Sequence, residues 1–123
     1  MYCHLGLDAL EQQDWELAIN HLTSYLEREP GDALAYDSLG TTYGEMGRYE
    51  EAINDFNKAI NIDPCYAGAY NNRGLSYYKL YRFDDAIADY DRAIALEPDV
   101  ALFYSNRGLA HAWKGDLGKA ISD

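Results

Sequence analysis

Positive charge is scarce in this sequence. Its 123 residues include 10 Lys and Arg against 21 Asp and Glu, which gives a formal net charge of −11 at pH 7. A surface of this sign repels phosphates and cannot use the counterion release that drives proteins onto nucleic acids. The composition therefore excludes a nucleic-acid partner and favours a protein or peptide partner that is basic or neutral.

Cysteine and long apolar runs are also rare. The two cysteines, Cys3 and Cys65, are too few for a disulfide framework. No apolar run approaches the roughly 18 residues of a membrane-spanning helix, and the first residues lack the basic and apolar pattern of a signal peptide. We therefore expect a single domain with no membrane partner, in the reducing environment of the cytoplasm.

Proline occurs only three times, and its spacing shows how the chain is organised. Pro30, Pro64 and Pro98 are 34 residues apart, and each follows an acidic residue. The segment that ends at Pro64, YEEAINDFNKAINIDP, recurs as FDDAIADYDRAIALEP and, more distantly, as WELAINHLTSYLEREP. Self-similarity at such a period indicates stacked repeats. We divide the chain into repeats at 1–32, 33–66, 67–100 and 101–123, the last truncated, and expect a segment of a longer array.

Each repeat contains the pattern of two helices. In residues 49–61 apolar side chains recur at intervals of three and four, as on an amphipathic helix. A first helical segment precedes each such second helix, and two residues separate them. These predicted breaks are Gln13-Asp14, Gly47-Arg48, Tyr81-Arg82 and Gly115-Asp116. Glycine suits a left-handed helix stop, whereas Tyr81 indicates either local strain or a different turn.

Glycine recurs inside the first helix of every repeat. It costs about 0.5–1 kcal/mol relative to alanine in a helix, so its recurrence requires a steric reason. We predict that the two helices of each hairpin cross there without room for a Cβ. The glycines are Gly6, Gly40, Gly74 and Gly108, and the facing small residues are Ala18, Ala52, Ala86 and Ala120.

This pattern resembles the tetratricopeptide repeat. The second repeat carries the marks Tyr36, Leu39, Gly40, Tyr43, Ala52, Phe56, Ala59 and Pro64. The resemblance covers essentially the whole chain. It implies an all-α solenoid, a superhelix of about three and a half stacked antiparallel hairpins. It also implies a scaffold or adaptor that binds proteins in a concave groove lined by the first helices.

Two repeats depart from the family pattern at one position. Arg73 and Arg107 stand where the second repeat has Leu39. Pairing each arginine with the acid of the preceding repeat predicts the salt bridges Asp55–Arg73 and Asp89–Arg107 across repeat interfaces. These pairs would fix register more than they add stability, because desolvation offsets much of the attraction. Pairing within one repeat would instead leave Asp55 facing Leu39.

By analogy with the family, the groove is lined by side chains of the first helices that point away from the second helices. In repeats two to four these are Asp37, Ser38, Thr41, Asn71, Asn72, Leu75, Tyr78, Lys79, Ser105, Asn106, Leu109 and Trp113, with Leu34, Glu45 and Leu102 beside them. The corresponding residues of the first repeat are Cys3, His4, Leu7 and Leu10.

Three features of this set favour a bound peptide. Asn72 and Asn106 occupy one position and can both donate to and accept from a peptide backbone, although two solvated asparagines are the alternative. Leu75 and Leu109 would give the groove an apolar floor. Trp113 is typical of interface anchors, unless it packs against the truncated fourth hairpin.

The pattern does not predict a chaperone-tail clamp, in which some members of the family hold a terminal carboxylate with Lys and Asn. Asn72 matches one clamp residue, but Asp37, Thr41, Leu102 and Asn106 stand where cations or a second asparagine would be needed.

We also predict neither an enzyme nor a cofactor. His4, His21 and His111 are not at metal-ligand spacing, and only Cys3-His4 is adjacent. The acidic pairs Glu50-Glu51 and Asp84-Asp85 begin second helices, where they complement the helix dipole.

Two functions remain open at this point. The first is an interaction module that binds an extended or helical segment of a partner in the groove. The alternative is an architectural segment that forms homo-oligomers through its exposed terminal helices. The pattern lacks the polar capping helix that usually ends a solenoid, so Tyr104, Leu117 and Ile121 would leave apolar surface to be covered.

Overall fold

The computed structural model describes the backbone of residues 4–122 and the side chains of residues 14–117. This part of the chain contains six helices and no strand. The helices are α1 (His4–Arg28), α2 (Ala33–Glu45), α3 (Tyr49–Ile62), α4 (Ala67–Lys79), α5 (Phe83–Leu96) and α6 (Ala101–Ser122). Pro30, Pro64 and Pro98 each lie two residues beyond the end of a helix, where proline prevents the helix from continuing.

Helices α2 and α3 form one antiparallel hairpin, and α4 and α5 form the next. Both turns use the same stop. Gly47 has φ +79° and Tyr81 has φ +62°. In each turn the following arginine N–H donates to a carbonyl in the last helical turn, at 2.9 Å from Arg48 to Tyr43 and 2.9 Å from Arg82 to Tyr77. Tyr81 therefore makes the turn that Gly47 makes, in a backbone conformation that is unfavourable for a residue with a Cβ.

The two hairpins cross closely at glycine. A Cβ at Gly40 would lie 2.6 Å from the ring of Phe56, and one at Gly74 would lie 2.8 Å from the ring of Tyr90 and 3.2 Å from the carbonyl oxygen of Ala86. Phe56 and Tyr90 are buried, as are the small residues Ala52 and Ala86. The absence of a side chain at the two glycines thus lets an aromatic ring fill the space between the helices.

The close crossing predicted at Gly108 is wrong, because α6 continues through residues 115–116 without folding back, and no atom of the described side chains lies within 4 Å of a Cβ built at Gly108. The predicted breaks at residues 13–14 and 115–116 are wrong as well, since α1 and α6 each continue through them. Gln13 disfavours a left-handed stop. A turn after Gly115 would break helical hydrogen bonds. Packing of Leu117 does not compensate for this loss, because Leu117 is 47% exposed. Gly6 and Ala120 lie outside the residues whose side chains are described.

The hairpins stack in chain order. Helix α1 packs on α2, α3 on α4 and α5 on α6. The first helices also contact one another, α2 with α4 and α4 with α6, whereas within the described part of the chain no contact joins α1 to α3 or α3 to α5. The stack therefore curves toward the first helices, and the predicted all-α solenoid is confirmed. No helix in the described residues is both long and apolar enough to cross a membrane.

The predicted salt bridges across repeat interfaces are wrong. Arg73 donates from Nε and Nη2 to the two carboxylate oxygens of Asp89, at 2.8 and 2.7 Å, within its own repeat. Arg107 pairs with Asp91, at 2.8 Å, and not with Asp89. The two parallel hydrogen bonds of the Arg73 pair explain the preference, because an arginine fork binds a carboxylate most strongly in this geometry.

Candidate functional site

A cavity of about 250 Å³ opens between α2 and α4 on the inner side of the stack. Five residues predicted for the groove line it: Thr41 and Glu45 on α2 and Asn72, Leu75 and Lys79 on α4. The α4 residues are separated by three and four positions, so they lie on one helix face. The structure thus brings these side chains together around one concave space.

The groove cavity is also lined by a residue that the sequence identified only as a mark of the repeat. Phe56 lies on α3, is 2% exposed and also lines the cavity. It reaches this position past Gly40, where a Cβ would collide with its ring. The glycine opposite Phe56 is the sequence signal that could have revealed it. Other lining residues that were not predicted are Gly44, Tyr49 and Ser76.

Hydrogen bonds between successive first helices position the polar side chains of the groove. Asn72 donates its amide N–H to Asp37 (3.0 Å), and Asn106 donates to Asn71 (2.9 Å). In both pairs the acceptor lies 35 residues before the donor, so the same bond joins α2 to α4 and α4 to α6. Each asparagine keeps a second N–H and its carbonyl for other partners.

Asp37 accepts a second hydrogen bond, from the Tyr66 hydroxyl at 3.0 Å. Burial raises the pKa of Tyr66 to about 12, and the neighbouring Asp37 carboxylate adds to this increase. The hydroxyl therefore stays protonated at physiological pH and keeps donating. The side chain of Asp37 is thus held by two donors, one of which, Asn72, lines the groove cavity.

A second cavity, of about 230 Å³, shares the lining residue Lys79 with the groove cavity and so lies next to it. We call it the aromatic cavity. Its other walls are Tyr78, Tyr81, Phe83 and Trp113. The Phe83 ring meets the rings of Tyr78 and Tyr81 edge-on, with centroid distances of 5.7 and 6.0 Å. Tyr78 and Trp113 are predicted groove residues, whereas Tyr81 and Phe83 were not predicted for the groove.

Trp113 remains 51% exposed, so most of its indole is available to a partner. Other predicted groove residues line neither cavity: Leu34, Ser38, Leu102, Ser105 and Leu109. Among them Leu109 is 53% exposed on α6. The predicted first-repeat residues Cys3, His4, Leu7 and Leu10 lie outside the residues whose side chains are described.

The site combines apolar walls with few charges, and within the described residues no cluster of three His, Cys, Asp or Glu side chains could hold a metal ion. Lys79 is the basic side chain that the two cavities share, while Glu45 accepts the indole N–H of Trp15 at 3.0 Å. Such an arrangement can hold apolar side chains and hydrogen-bond a peptide backbone.

Three models of one family match overlapping parts of the chain. A model described as TPR repeat matches residues 40–80. Two models described as tetratricopeptide repeat match residues 67–100 and 21–54. The chain belongs to the tetratricopeptide repeat (TPR) family.

Solved structures share the fold of this TPR chain. The TPR domain of Arabidopsis OM64 is 27% identical, with a TM-score of 0.76 over 85% of this chain and 87% of that one. The MamA protein is 30% identical, with a TM-score of 0.78 over 88% of this chain and 59% of MamA. The TPR2B domain of yeast Sti1, solved in a complex with pHsp70, is 24% identical, with a TM-score of 0.78 over 88% of this chain and 91% of that one. A search of curated protein sequences found no match.

Proposed function

We propose that this TPR chain is a non-catalytic protein-interaction module, a scaffold or adaptor that holds an extended segment of a partner against α2, α4 and α6. The observation that carries the proposal is the groove cavity, where the apolar walls of Phe56 and Leu75 meet the polar groups of Asn72 and Lys79. Leu75 is 40% exposed there. An apolar side chain of the partner would cover Leu75, and the Asn72 amide would bond its backbone.

The neighbouring TPR structures support this assignment at the level of the fold. The TPR2B domain of yeast Sti1 was solved in a complex with pHsp70. The same arrangement of helices in the present chain provides a surface of comparable kind. We place this activity in the reducing cytoplasm, since two scattered cysteines form no disulfide framework.

The charges in the groove indicate a basic or neutral partner. Asp37 is negative and is held by Asn72 and Tyr66, and Glu45 adds a second carboxylate at the rim of the groove cavity. An acidic chaperone tail would meet these carboxylates and a single cation of the groove cavity lining, Lys79. A neutral or basic segment with one large apolar side chain fits the same surface better.

Selection of short random peptides by phage display on the purified chain tests the proposal. The enriched peptides should lose at least about tenfold in affinity when Leu75→Arg places a charge on the cavity wall. Leu96→Arg is the matched control, since Leu96 is 37% exposed on α5 and lies outside both cavities. Peptides that bind Leu75→Arg as tightly as the unmodified chain would contradict a groove site.

A second candidate function, homo-oligomerisation, is favoured by the exposed apolar surface of α6. Tyr104, Trp113 and Leu117 are 42%, 51% and 47% exposed, respectively. Sedimentation velocity at micromolar concentration should then show a dimer that Leu117→Lys dissociates. The predicted contribution of Ile121 concerns a side chain outside those described. A monomer at all concentrations would exclude this candidate and leave the groove proposal unaffected.

A further inference from the structure

A separate cavity of about 230 Å³ lies between α1, α2 and α3 and shares no lining residue with the groove cavity or the aromatic cavity. We call it the Asp55 cavity. Its walls are Thr23, Leu26, Glu27, Tyr36, Leu39, Asp55 and Lys58. None of its lining residues takes part in the proposed peptide groove.

Asp55 is the unusual member of this set. It is 5% exposed, and within the described part of the chain it forms no ion pair. Burial raises the pKa of Asp55 to about 6, although the positive charge of Lys58 partly opposes that increase. The Nζ of Lys58 instead lies over the ring of Tyr36, 5.6 Å from its centroid. The structure thus buries a carboxylate without a close cation.

In the next repeat the equivalent carboxylate binds an arginine of the same chain. There Asp89 receives the Arg73 fork, and the third nitrogen of Arg73 donates to Asn57 at 2.8 Å. The remaining neighbours of the Arg73 and Asp89 pair are Tyr70, Tyr77 and Arg92. Moving back by 34 residues from Asp89, Asn57, Tyr70, Tyr77 and Arg92 gives Asp55, Thr23, Tyr36, Tyr43 and Lys58.

The two environments therefore correspond in kind at these five positions and differ at the arginine itself. Leu39 stands in place of Arg73, and the Asp55 cavity lies beside its shorter side chain. The acceptors, the aromatic rings and the second cation are all retained in kind. Glu27 stands where the next repeat has Asn61, so the cavity carries one more negative charge than its counterpart.

We infer that the Asp55 cavity is a binding site for a guanidinium group, supplied by an arginine side chain of a partner protein. Its two nitrogens would donate to the oxygens of Asp55 and its third to the hydroxyl of Thr23, as Arg73 does with Asp89 and Asn57. Guanidinium is preferred over ammonium because only its planar fork can bind a carboxylate through two parallel hydrogen bonds. The bound group would also neutralise the buried charge.

Titration of the isotope-labelled chain with N-acetyl-arginine methylamide, followed by NMR, tests the inference. Amides around Thr23 and Asp55 should shift with saturation, and the lysine and citrulline analogues should bind at least about tenfold more weakly. Asp55→Asn should weaken binding of the arginine analogue by a similar factor. Glu50→Gln is the matched control, because it removes one charge from α3 outside the cavity and should leave binding unchanged.

Leu39→Arg provides an independent test, because it supplies the guanidinium from the chain itself. It should retain the helical spectrum, unfold at a higher temperature and no longer bind the arginine analogue. Absence of saturable shifts, equal binding of the lysine analogue, or unchanged binding by Asp55→Asn would each overturn the inference. So would a lower unfolding temperature for Leu39→Arg. None of these outcomes depends on Leu75 or Asn72, so the groove proposal stands or falls separately.

Discussion

Arg73 and Asp89 are 16 residues apart and form a two-pronged ion pair between the two helices of one hairpin. The Asp89 side chain is 1% exposed and that of Arg73 is 16% exposed, so the pair is nearly removed from water. Arg107 occupies the position of Arg73 in the last repeat, but it pairs with Asp91, which occupies the position of Asn57, and these two side chains are 34% and 53% exposed. Two related arginines thus have very different energetic roles.

We predict that Arg73→Leu lowers the free energy of unfolding by about 3 kcal/mol, because it leaves the buried Asp89 charge with only Arg92 as a partner. Arg107→Leu should change it by less than about 1 kcal/mol, since exposed pairs contribute little. Urea denaturation at neutral pH measures both. Equal effects of the two substitutions would contradict the assigned difference in burial.

Gly74→Ala should destabilise the chain by about 1–3 kcal/mol, because the new Cβ meets the Tyr90 ring and a backbone oxygen. Gly108→Ala should stabilise it by up to about 1 kcal/mol, since a Cβ there meets nothing within 4 Å and alanine favours the helix. Thermal unfolding of the two variants compares the same chemical change at equivalent repeat positions. A gain in stability at Gly74 would show that the hairpin is less tightly packed than described.

Tyr81→Gly should raise the free energy of unfolding by about 1 kcal/mol, because glycine adopts φ +62° without the steric cost of a Cβ. The gain is limited by the loss of the Tyr81 contact with Phe83. Gly47→Ala, at the equivalent turn, should have the opposite sign. Unfolding curves in urea distinguish the two, and a loss of stability on Tyr81→Gly would mean that the aromatic contact outweighs the strain.

The stability of the chain should depend on the protonation of Asp55. Its pKa is about 6 in the folded state against 3.8 in the unfolded chain. The stabilisation from the protonated carboxyl is therefore fully present below pH 3.8 and is lost as the pH rises to about 6. Asp55→Asn should raise the free energy of unfolding by about 2 kcal/mol at pH 7.5 and by little near pH 4. Urea denaturation across this range measures the difference.

Asp32 provides a control, because its contribution to stability should depend on pH in the opposite direction. Its pKa is lowered by the hydrogen bond from the Tyr25 hydroxyl and by that from the Ala35 N–H at the start of α2. Its stabilising effect is present above the unfolded pKa and is lost as the pH falls. Asp32→Ala should therefore cost stability at neutral pH, and the cost should shrink on acidification. Parallel pH profiles for the two variants would contradict the assignment of Asp55.

The repeat period alone was enough to predict helices α2 to α5 and their pairing into hairpins. Helical periodicity, the proline stops and Gly47 are local signals, and each agrees with the stacked architecture. The polar cross-links of the groove were less accessible. Asn72 and Asn106 could be selected by position, but their acceptors, Asp37 and Asn71, lie on neighbouring repeats and depend on how closely the first helices approach.

The arginine pairing could not be derived from the sequence. The prediction assumed that equivalent arginines pair with equivalent acids in every repeat, and the structure does not follow this rule. Pairing across repeats avoided a buried Asp55 opposite Leu39, and that was the reason to favour it. The structure contains this unfavourable arrangement, and Arg73 donates two parallel hydrogen bonds to Asp89 instead. The aromatic cavity was missed for another reason, since Tyr81 adopts a conformation that tyrosine rarely adopts.

Contacts in the described part of the stack join only adjacent helices or the first helices of adjacent repeats. Among the described residues no contact joins the two ends of the array, so local opening at one hairpin need not disturb a distant one. Amide hydrogens should accordingly exchange most slowly in α3 and α4 and faster toward both ends. A segment lying along α2, α4 and α6 would link repeats that otherwise open independently. Binding of this segment would then slow amide hydrogen exchange in helices that the segment does not contact.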